Sequence, residues 1–219
     1  MNVHPAPAEK PILLKAVELI LAKPENIQNE TLSLLEKYQA KHLTKSFEEV
    51  QKLVSKKIIS NYSYYAAFSG GATALSSVVP GLGTVVSTFG GATADMALSL
   101  KYQVEMTMAL ASLHGHNILI EEEKRMCMIV AGLGTIAEAG KKGLTNTASK
   151  AFKKLVEENL KNGSLTAVKE IFKRIGVTFV KKSFVKAIPF GVGVVVGFSA
   201  NKCLTLYVGS KANDFFMAN

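Results

Sequence analysis

The sequence has no tryptophan, few aromatic residues and only two cysteines, and each shortage excludes a class of protein. Aromatic residues make up 8% of the 219 residues, and Cys127 and Cys203 lie far apart in apolar surroundings. Because no cysteine or histidine lies at zinc-binding spacing, a zinc module and a disulfide-rich secreted module are both excluded. We predict two buried, unreactive thiols in a protein of a reducing compartment.

A secretory signal is also missing from the N-terminus. Its apolar run is interrupted by Lys15 and Glu18, and no small-residue cleavage site follows it. Apolar residues recur instead at the spacing of an amphipathic helix, at positions Ile12, Leu13, Val17, Ile20 and Leu21. We therefore expect this end of the chain to stay on the protein and in the cytosol.

Motifs that hold a nucleotide or support catalysis are absent as well. The glycines of "PGLGTVVSTFGG" lack the lysine of a phosphate loop, and those of "PFGVGVVVG" have the wrong spacing for a dinucleotide fold. Asp95, Lys101 and Glu105 do not define a catalytic set by spacing, and we expect His114 and His116 to be exposed in a loop. We predict no catalytic residue, cofactor or metal ion; whether the protein is an enzyme stays open, with a non-catalytic role favoured.

Strand signals are missing too, and the local signals that remain are helical. Pro24 suits the first turn of one helix, and Ser46 with Glu49 has the spacing of a capping box at the start of the next. A long helix is predicted from about Gly83 to His114. The apolar face predicted for the capped helix contains Phe47, Val50, Leu53, Val54 and Ile58. The predicted fold class is all-α, a multi-helix bundle.

What the sequence does have is a long stretch without charge, residues 58–94, in which the pentapeptide GGATA occurs at 70–74 and again at 90–94. A membrane-inserted hairpin is one interpretation of this stretch. The favoured interpretation is a helical hairpin that reverses at Pro80-Gly81 and forms the centre of the fold, because glycines allow two helix backbones to approach closely. The predicted helix-packing residues are Gly70, Gly71, Gly90 and Gly91 in this stretch and Gly193 and Gly197 in a C-terminal helix.

The positive charge is concentrated in one segment. The net charge is +9, and residues 141–186 hold twelve basic and three acidic side chains. Lysines there border an apolar helical face, which suits an anionic bilayer surface. A solvated helix face is the alternative, and nucleic acid is disfavoured because arginine is scarce beside lysine. The predicted membrane-surface residues are Lys150, Lys153, Lys154, Lys173, Arg174, Lys181 and Lys182.

The small-residue segment, the "LHGH" break and the C-terminal "AIPFGVGVVVGFSANKCLTLYVGSKANDFF" together resemble the EcsC-like proteins of bacteria. The matching residues are Gly71, Pro80, Gly83, Asp95, Gln103, Gly115, Pro189, Gly193, Gly209, Ala212 and Phe215. The resemblance covers roughly residues 45–217. It implies a helical domain without defined catalytic residues, often membrane-associated and in some bacteria encoded beside an ABC transporter.

From these patterns we expect N-terminal helices in residues 1–44 and an EcsC-like helical domain in residues 45–219. The expected function is non-catalytic: association with the anionic cytosolic face of the inner membrane, with an ABC-type transport or export system as a further partner. The alternative is a membrane-perturbing effector that inserts its glycine-rich hairpin. A third class, an enzyme with an apolar cavity for a lipid-like substrate, is disfavoured. The expected location is cytoplasmic and peripheral to the inner membrane.

Overall fold

In a computed structural model of the chain, residues 12–69, 75–141 and 196–217 are described. Every regular element within these ranges is an α-helix, which confirms the all-α prediction for this part of the chain. The seven helices are α1 (Ile12–Ile20), α2 (Pro24–Lys41), α3 (Phe47–Ala67), α4 (Leu82–Phe89), α5 (Gly91–Leu113), α6 (Glu121–Lys141) and α7 (Val196–Met217).

Helices α2 and α3 begin where local chemistry requires. Pro24 is at the first helical position of α2, where its missing N–H is not needed. At α3, the backbone N–H of Glu49 donates to Ser46 Oγ at 3.2 Å, and the N–H of Ser46 donates to Glu49 Oε2 at 2.9 Å. This reciprocal pair is the predicted capping box.

The centre of the bundle is α5, which packs against each of the other six helices. Most of the side chains of α5 are buried, and its hydrophobic residues lie on all sides of the helix. The predicted centre of the fold is the glycine-rich hairpin. In the described residues the glycine-rich part after Pro80 is α4, a short helix that packs on α5 and α1.

The long helix predicted from about Gly83 to His114 is wrong, because it is two helices. Gly90 separates α4 from α5 with a φ of +83°, a left-handed conformation that ends one helix before the next begins. Nothing in the apolar sequence around Gly90 distinguishes it from a glycine within a helix. Predicting the boundary between α4 and α5 would require the φ angle of Gly90, which the sequence does not give.

Side-chain contacts fix the directions of the helices around α5. Gln51 of α3 donates to the carbonyl of Leu113, and Thr107 donates to the carbonyl of Cys127 in α6. These contacts place the start of α3 and the first turns of α6 beside the last turns of α5. Both helices therefore run antiparallel to α5.

Helix α7 runs parallel to α5. Asn213 near its end contacts His114, which follows the last residue of α5, whereas Gly209 lies one turn earlier beside Met106. The start of α7 consequently lies at the end of the bundle where α5 begins, together with the ends of α3 and α6. Lys141 and Val196, the described residues on either side of positions 142–195, therefore both lie at this end.

The predicted apolar face of α3 is correct except at its first residue. Val50, Val54 and Ile58 are buried, but Phe47 is 54% exposed. Phe47 is exposed because of its position along α3: Gln51, one turn later in α3, already contacts the last residue of α5. Phe47 therefore lies beyond the end of the central helix and has little to pack against.

Candidate functional site

The end of the bundle at which α5 begins carries exposed aromatic side chains. Tyr64, Tyr65 and Phe68 at the end of α3 are 48%, 49% and 60% exposed. Large exposed apolar groups clustered at one end of a fold mark an interaction surface. We call this part of the molecule the aromatic end.

A lysine of α7 lies on this surface. The Nζ of Lys202 is 3.6 Å from the centroid of the Tyr64 ring, a cation–π contact between α7 and α3. Hydrogen bonding to Lys202, followed by its positive charge, holds the pKa of the Tyr64 hydroxyl below its usual value. The aromatic end thus combines exposed rings with a cation, the combination found at the water interface of membranes.

The predicted membrane-surface residues all lie in one stretch outside the described residues. Lys150, Lys153, Lys154, Lys173, Arg174, Lys181 and Lys182 fall between the end of α6 and the start of α7. Because both helix termini are at the aromatic end, the two junctions of this basic stretch with the bundle are there as well. Their role at a membrane stays a prediction.

Of the predicted helix-packing glycines, Gly70, Gly71 and Gly193 also lie outside the described residues. Gly91 begins α5 and Gly197 lies in the first turn of α7. At Gly90 a built Cβ meets no described atom within 4 Å, so the requirement for glycine there is its φ. The pairing of the two GGATA copies therefore stays a prediction.

Two other glycines do lie at close approaches. A Cβ on Gly81, whose φ is +80°, would lie 2.5 Å from the carbonyl oxygen of Leu19 in α1. A Cβ on Gly209 would meet Ile59 and Met106 atoms at 2.9 Å, at the contact of α7 with α3 and α5. Sequence analysis noted both glycines but assigned neither to close packing. The family resemblance at Gly209 was the available signal.

An ion pair is buried inside the bundle. Lys101 and Glu105, one turn apart on α5, are 8% and 4% exposed, and Lys101 Nζ donates to the two carboxylate oxygens at 2.6 and 2.7 Å. Glu105 Oε1 also accepts from the backbone N–H of Ala22, between α1 and α2, at 2.8 Å. Sequence analysis missed this burial. The spacing of four residues was visible, but it is also the commonest spacing of surface ion pairs.

Three tyrosines surround this ion pair. Tyr65 packs against Tyr62 and Tyr102, with ring centroids 5.7 Å apart in each case. Burial, and next the negative charge of Glu105, raises the pKa of Tyr62 far above its usual value and raises that of Tyr102 as well. Both hydroxyls therefore stay protonated and add no charge beside the ion pair.

Three further polar atoms of α5 are buried without a hydrogen-bond partner: Ser99 Oγ, Gln103 Oε1 and Ser112 Oγ. Ser99 and Gln103 are one turn apart, and Gln103 is only 1% exposed. Unpaired buried oxygens destabilise a fold by about 1–3 kcal/mol each. Gln103 is one of the residues on which the EcsC resemblance rests.

The opposite end of the bundle, where α5 stops, is closed by hydrogen bonds, and we call it the capped end. Gln51 Nε2 donates to the carbonyl of Leu113 at 2.8 Å, and His114 Nε2 lies 2.9 Å from Asn213 Oδ1. His116 Nδ1 lies 3.1 Å from Glu123 Oε2. The expectation of exposed loop histidines is wrong, because both rings are half-buried between α5, α6 and α7.

The two cysteines differ. Cys127 is fully buried as predicted, and burial raises the pKa of its thiol well above the usual value. Cys203 is exposed, so the prediction of a second buried thiol is wrong. The apolar residues around Cys203 in the sequence belong to a helix with one open face, which composition alone does not show.

Among the residues that the structure describes, no group of three or more His, Cys, Asp or Glu side chains is arranged to hold a metal ion. None of the described helices is both long and apolar enough to cross a membrane.

A model of the EcsC protein family matches residues 12–217, nearly the whole chain. This chain is therefore a member of the EcsC protein family. The match begins in α1 and so spans both sides of the boundary predicted after residue 44, which stays a prediction. No curated protein and no solved structure matches the chain.

Proposed function

We propose that this protein binds the anionic, cytosolic face of the inner membrane through its aromatic end, without catalysing a reaction. The observation that carries the proposal is the convergence of three features at one end of the bundle. These are the exposed rings of Tyr64, Tyr65 and Phe68, the uncharged junction of α4 and α5 at Gly90, and both junctions of the basic stretch between Lys141 and Val196.

The three features suit successive steps of binding to a charged bilayer. Lysines attract an anionic surface from a distance of about a Debye length, roughly 8 Å at physiological salt. Aromatic rings then settle among the headgroups, where their polar and apolar parts are both accommodated. The absence of charge from residues 58–94 removes the cost of desolvating ions at this end.

A pairing of the two GGATA copies would rigidify this surface, and we include it in the proposal. With Gly90-Gly91 fixed at the junction of α4 and α5, Gly70-Gly71 would approach the same turn from the end of α3. Glycine backbones at such a contact pack more closely than any other residue allows.

The first experiment is co-sedimentation of the full chain with vesicles. We expect binding to phosphatidylglycerol mixed with phosphatidylcholine, little binding to phosphatidylcholine alone, and release by salt. Equal binding to both kinds of vesicle would contradict the charge-dependent step.

The second experiment compares the two ends with equal numbers of exposed apolar side chains. The triple variant Tyr64→Ser, Tyr65→Ser, Phe68→Ser should bind anionic vesicles at least about tenfold more weakly, because each large ring removed from water contributes up to about 1.5–3 kcal/mol. The matched control is Leu43→Ser, Leu119→Ser, Met217→Ser at the capped end, where these side chains are 86%, 49% and 65% exposed. Equal losses in the two triples would assign binding to general hydrophobicity.

The third experiment tests the basic stretch. Changing Lys150, Lys153 and Lys154 to glutamine should weaken binding on the order of a hundredfold, since each cation near an anionic surface contributes about 1 kcal/mol. The matched control removes three exposed lysines of α2 and α3, Lys37, Lys41 and Lys52, and should have a much smaller effect. Similar losses would show that net charge alone determines binding.

Support of an ABC-type transport or export system is a further part of the proposal, and membership of the EcsC family supports it. The test is the rate of ABC-dependent export in cells that lack the protein, with the triple lysine variant as the rescue control. A normal rate without the protein would remove this part and leave membrane binding intact.

The second candidate function is a membrane-perturbing effector. It is favoured by α4, a short helix without charge that lies between two glycines of positive φ, Gly81 and Gly90. Leakage of a trapped dye from anionic vesicles would support this function. Binding without leakage would support surface association alone.

A further inference from the structure

The first helix and the glycine-rich helix bury apolar side chains where they meet. Helix α1 packs on both α4 and α5, and its residues Ala16, Val17 and Ile20 are buried. On α4, Leu82 and Val85 are completely buried in the same cluster. The buried apolar side chains of α4 therefore belong to the core that it shares with α5 and α1.

The first contact that holds α1 there is made by backbone. Gly81, the residue before α4, lies so close to the last turn of α1 that a Cβ would be 2.5 Å from the carbonyl oxygen of Leu19. The same Cβ would also be 3.5 Å from Ile20 Cγ2. The absence of a side chain at residue 81 is what permits this seating.

The second contact is made by the buried ion pair. Glu105 Oε1 accepts a hydrogen bond of 2.8 Å from the backbone N–H of Ala22, which lies just after α1. Lys101 balances the negative charge of the same carboxylate. A charged acceptor makes this bond stronger than an ordinary backbone hydrogen bond. Helix α1 has only nine residues, and a helix of this length is marginal in water, so its position depends on such contacts.

We infer that α1 is a lock on α4: seated, it keeps Leu82 and Val85 inside the bundle, and released, it uncovers them for contact with lipid. This inference rests on the proposed membrane binding and adds its regulation. Bound lipid would favour the released state, because only that state offers α4 to the bilayer. The free chain would favour the seated state, because the uncovered side chains face water.

Two glycines of positive φ give a comparison in which backbone strain does not favour the expected result. Gly81 has φ +80° and ψ −14°, whereas Gly90 has φ +83° and ψ 161°, a region that is essentially restricted to glycine, so Gly90→Ala carries at least as much backbone strain as Gly81→Ala. Only at Gly81 does the new Cβ also collide with α1; at Gly90 it meets no described atom within 4 Å. In hydrogen exchange of the full chain, α1 should exchange roughly fivefold to 150-fold faster in Gly81→Ala than in Gly90→Ala, the range that overpacking produces.

Binding to vesicles of phosphatidylglycerol and phosphatidylcholine should become tighter in a variant that releases α1. We expect Gly81→Ala to bind more tightly than both the wild type and Gly90→Ala. Unchanged exchange in α1 would show that the Gly81 contact does not hold the helix, and faster exchange with unchanged binding would show that α1 is no lock. Either result overturns the inference. If the wild type itself fails to bind, the proposed function fails first and the inference fails with it.

A second pair of variants acts through the other contact and covers the case in which Gly81→Ala does not fold. Ala22→Pro removes the N–H that Glu105 accepts and should also release α1 and tighten vesicle binding. Lys23→Pro is the control, because Lys23 already has a φ of −63° that proline adopts. If Ala22→Pro and Lys23→Pro behave alike in hydrogen exchange and in vesicle binding, the hydrogen bond to Glu105 does not hold α1 in its seated position.

Discussion

The two ends of the bundle carry different groups of side chains. At the capped end, side chains close the helix termini: Gln51 donates to the last carbonyl of α5, and a capping box begins α3. Both ends expose apolar side chains; those of the aromatic end include three neighbouring rings at the end of α3, one of them in contact with Lys202. This grouping of rings with a cation is the physical basis for proposing membrane contact at the aromatic end.

The largest effect on stability is expected at the buried ion pair, which lies between the two ends of the bundle. Glu105→Ala should lower the free energy of unfolding by about 3–5 kcal/mol, because it leaves Lys101 buried without its partner. Replacing both residues, as Lys101→Met with Glu105→Leu, should cost much less. Urea denaturation of the three proteins measures this. Equal losses in the single and double variants would mean that the carboxylate acts mainly through Ala22.

The next effect concerns close packing. Gly209→Ala should destabilise the protein by about 1–3 kcal/mol, because its Cβ would press on Ile59 and Met106. The control is Gly83→Ala on α4, where the nearest described atom is 3.8 Å away; it should be neutral or stabilising by up to about 1 kcal/mol. Thermal unfolding compares the two. A tolerated Gly209→Ala would show that Ile59 and Met106 repack easily.

A smaller effect on stability tests whether the capped end takes part in vesicle binding. Gln51→Ala should cost about 1 kcal/mol of stability through the lost bond to Leu113, yet leave vesicle binding unchanged. The exposed residue Gln39 provides the control, since Gln39→Ala should change neither property. A loss of vesicle binding in Gln51→Ala would show that the capped end also contributes to the membrane contact.

The smallest effect is the pH dependence of the capping box. The hydrogen bond from the backbone of Ser46, and then the charge of Lys45, hold the pKa of Glu49 below its usual 4.5. A lowered folded pKa means that the stabilisation is present above pH 4.5 and is lost as pH falls through the folded value. Glu49→Gln should therefore approach the wild type in stability in acid. An NMR titration that placed the Glu49 pKa at or above 4.5 would contradict this.

The sequence was most informative where structure is determined by neighbouring residues. Pro24 and the Ser46–Glu49 box could be predicted because each acts within one turn. The break at Gly90 could not, since a glycine in an uncharged run fits the interior of a helix equally well. The burial of Lys101 and Glu105 was also hidden, because the helices that cover it are distant in sequence.

The position of α5 shows the same limit on the scale of the fold. Its apolar residues lie on all sides and give no single face, so periodicity did not identify it as the helix that the others surround. The candidate site was predicted in part: the basic stretch and the uncharged stretch were recognised separately. That their junctions meet at one end follows from helix directions, which no local pattern contains.

The contrast between the two thiols gives the chain a built-in reporter. Cys203 is exposed and adjacent to Lys202, which covers Tyr64, while Cys127 is buried with a raised pKa. A thiol-reactive fluorophore will therefore label the unmodified protein at one place, beside the aromatic end. Under the proposed membrane binding, its emission colour and its accessibility to a water-borne quencher should change when anionic vesicles are added, with no engineered substitution to disturb the fold.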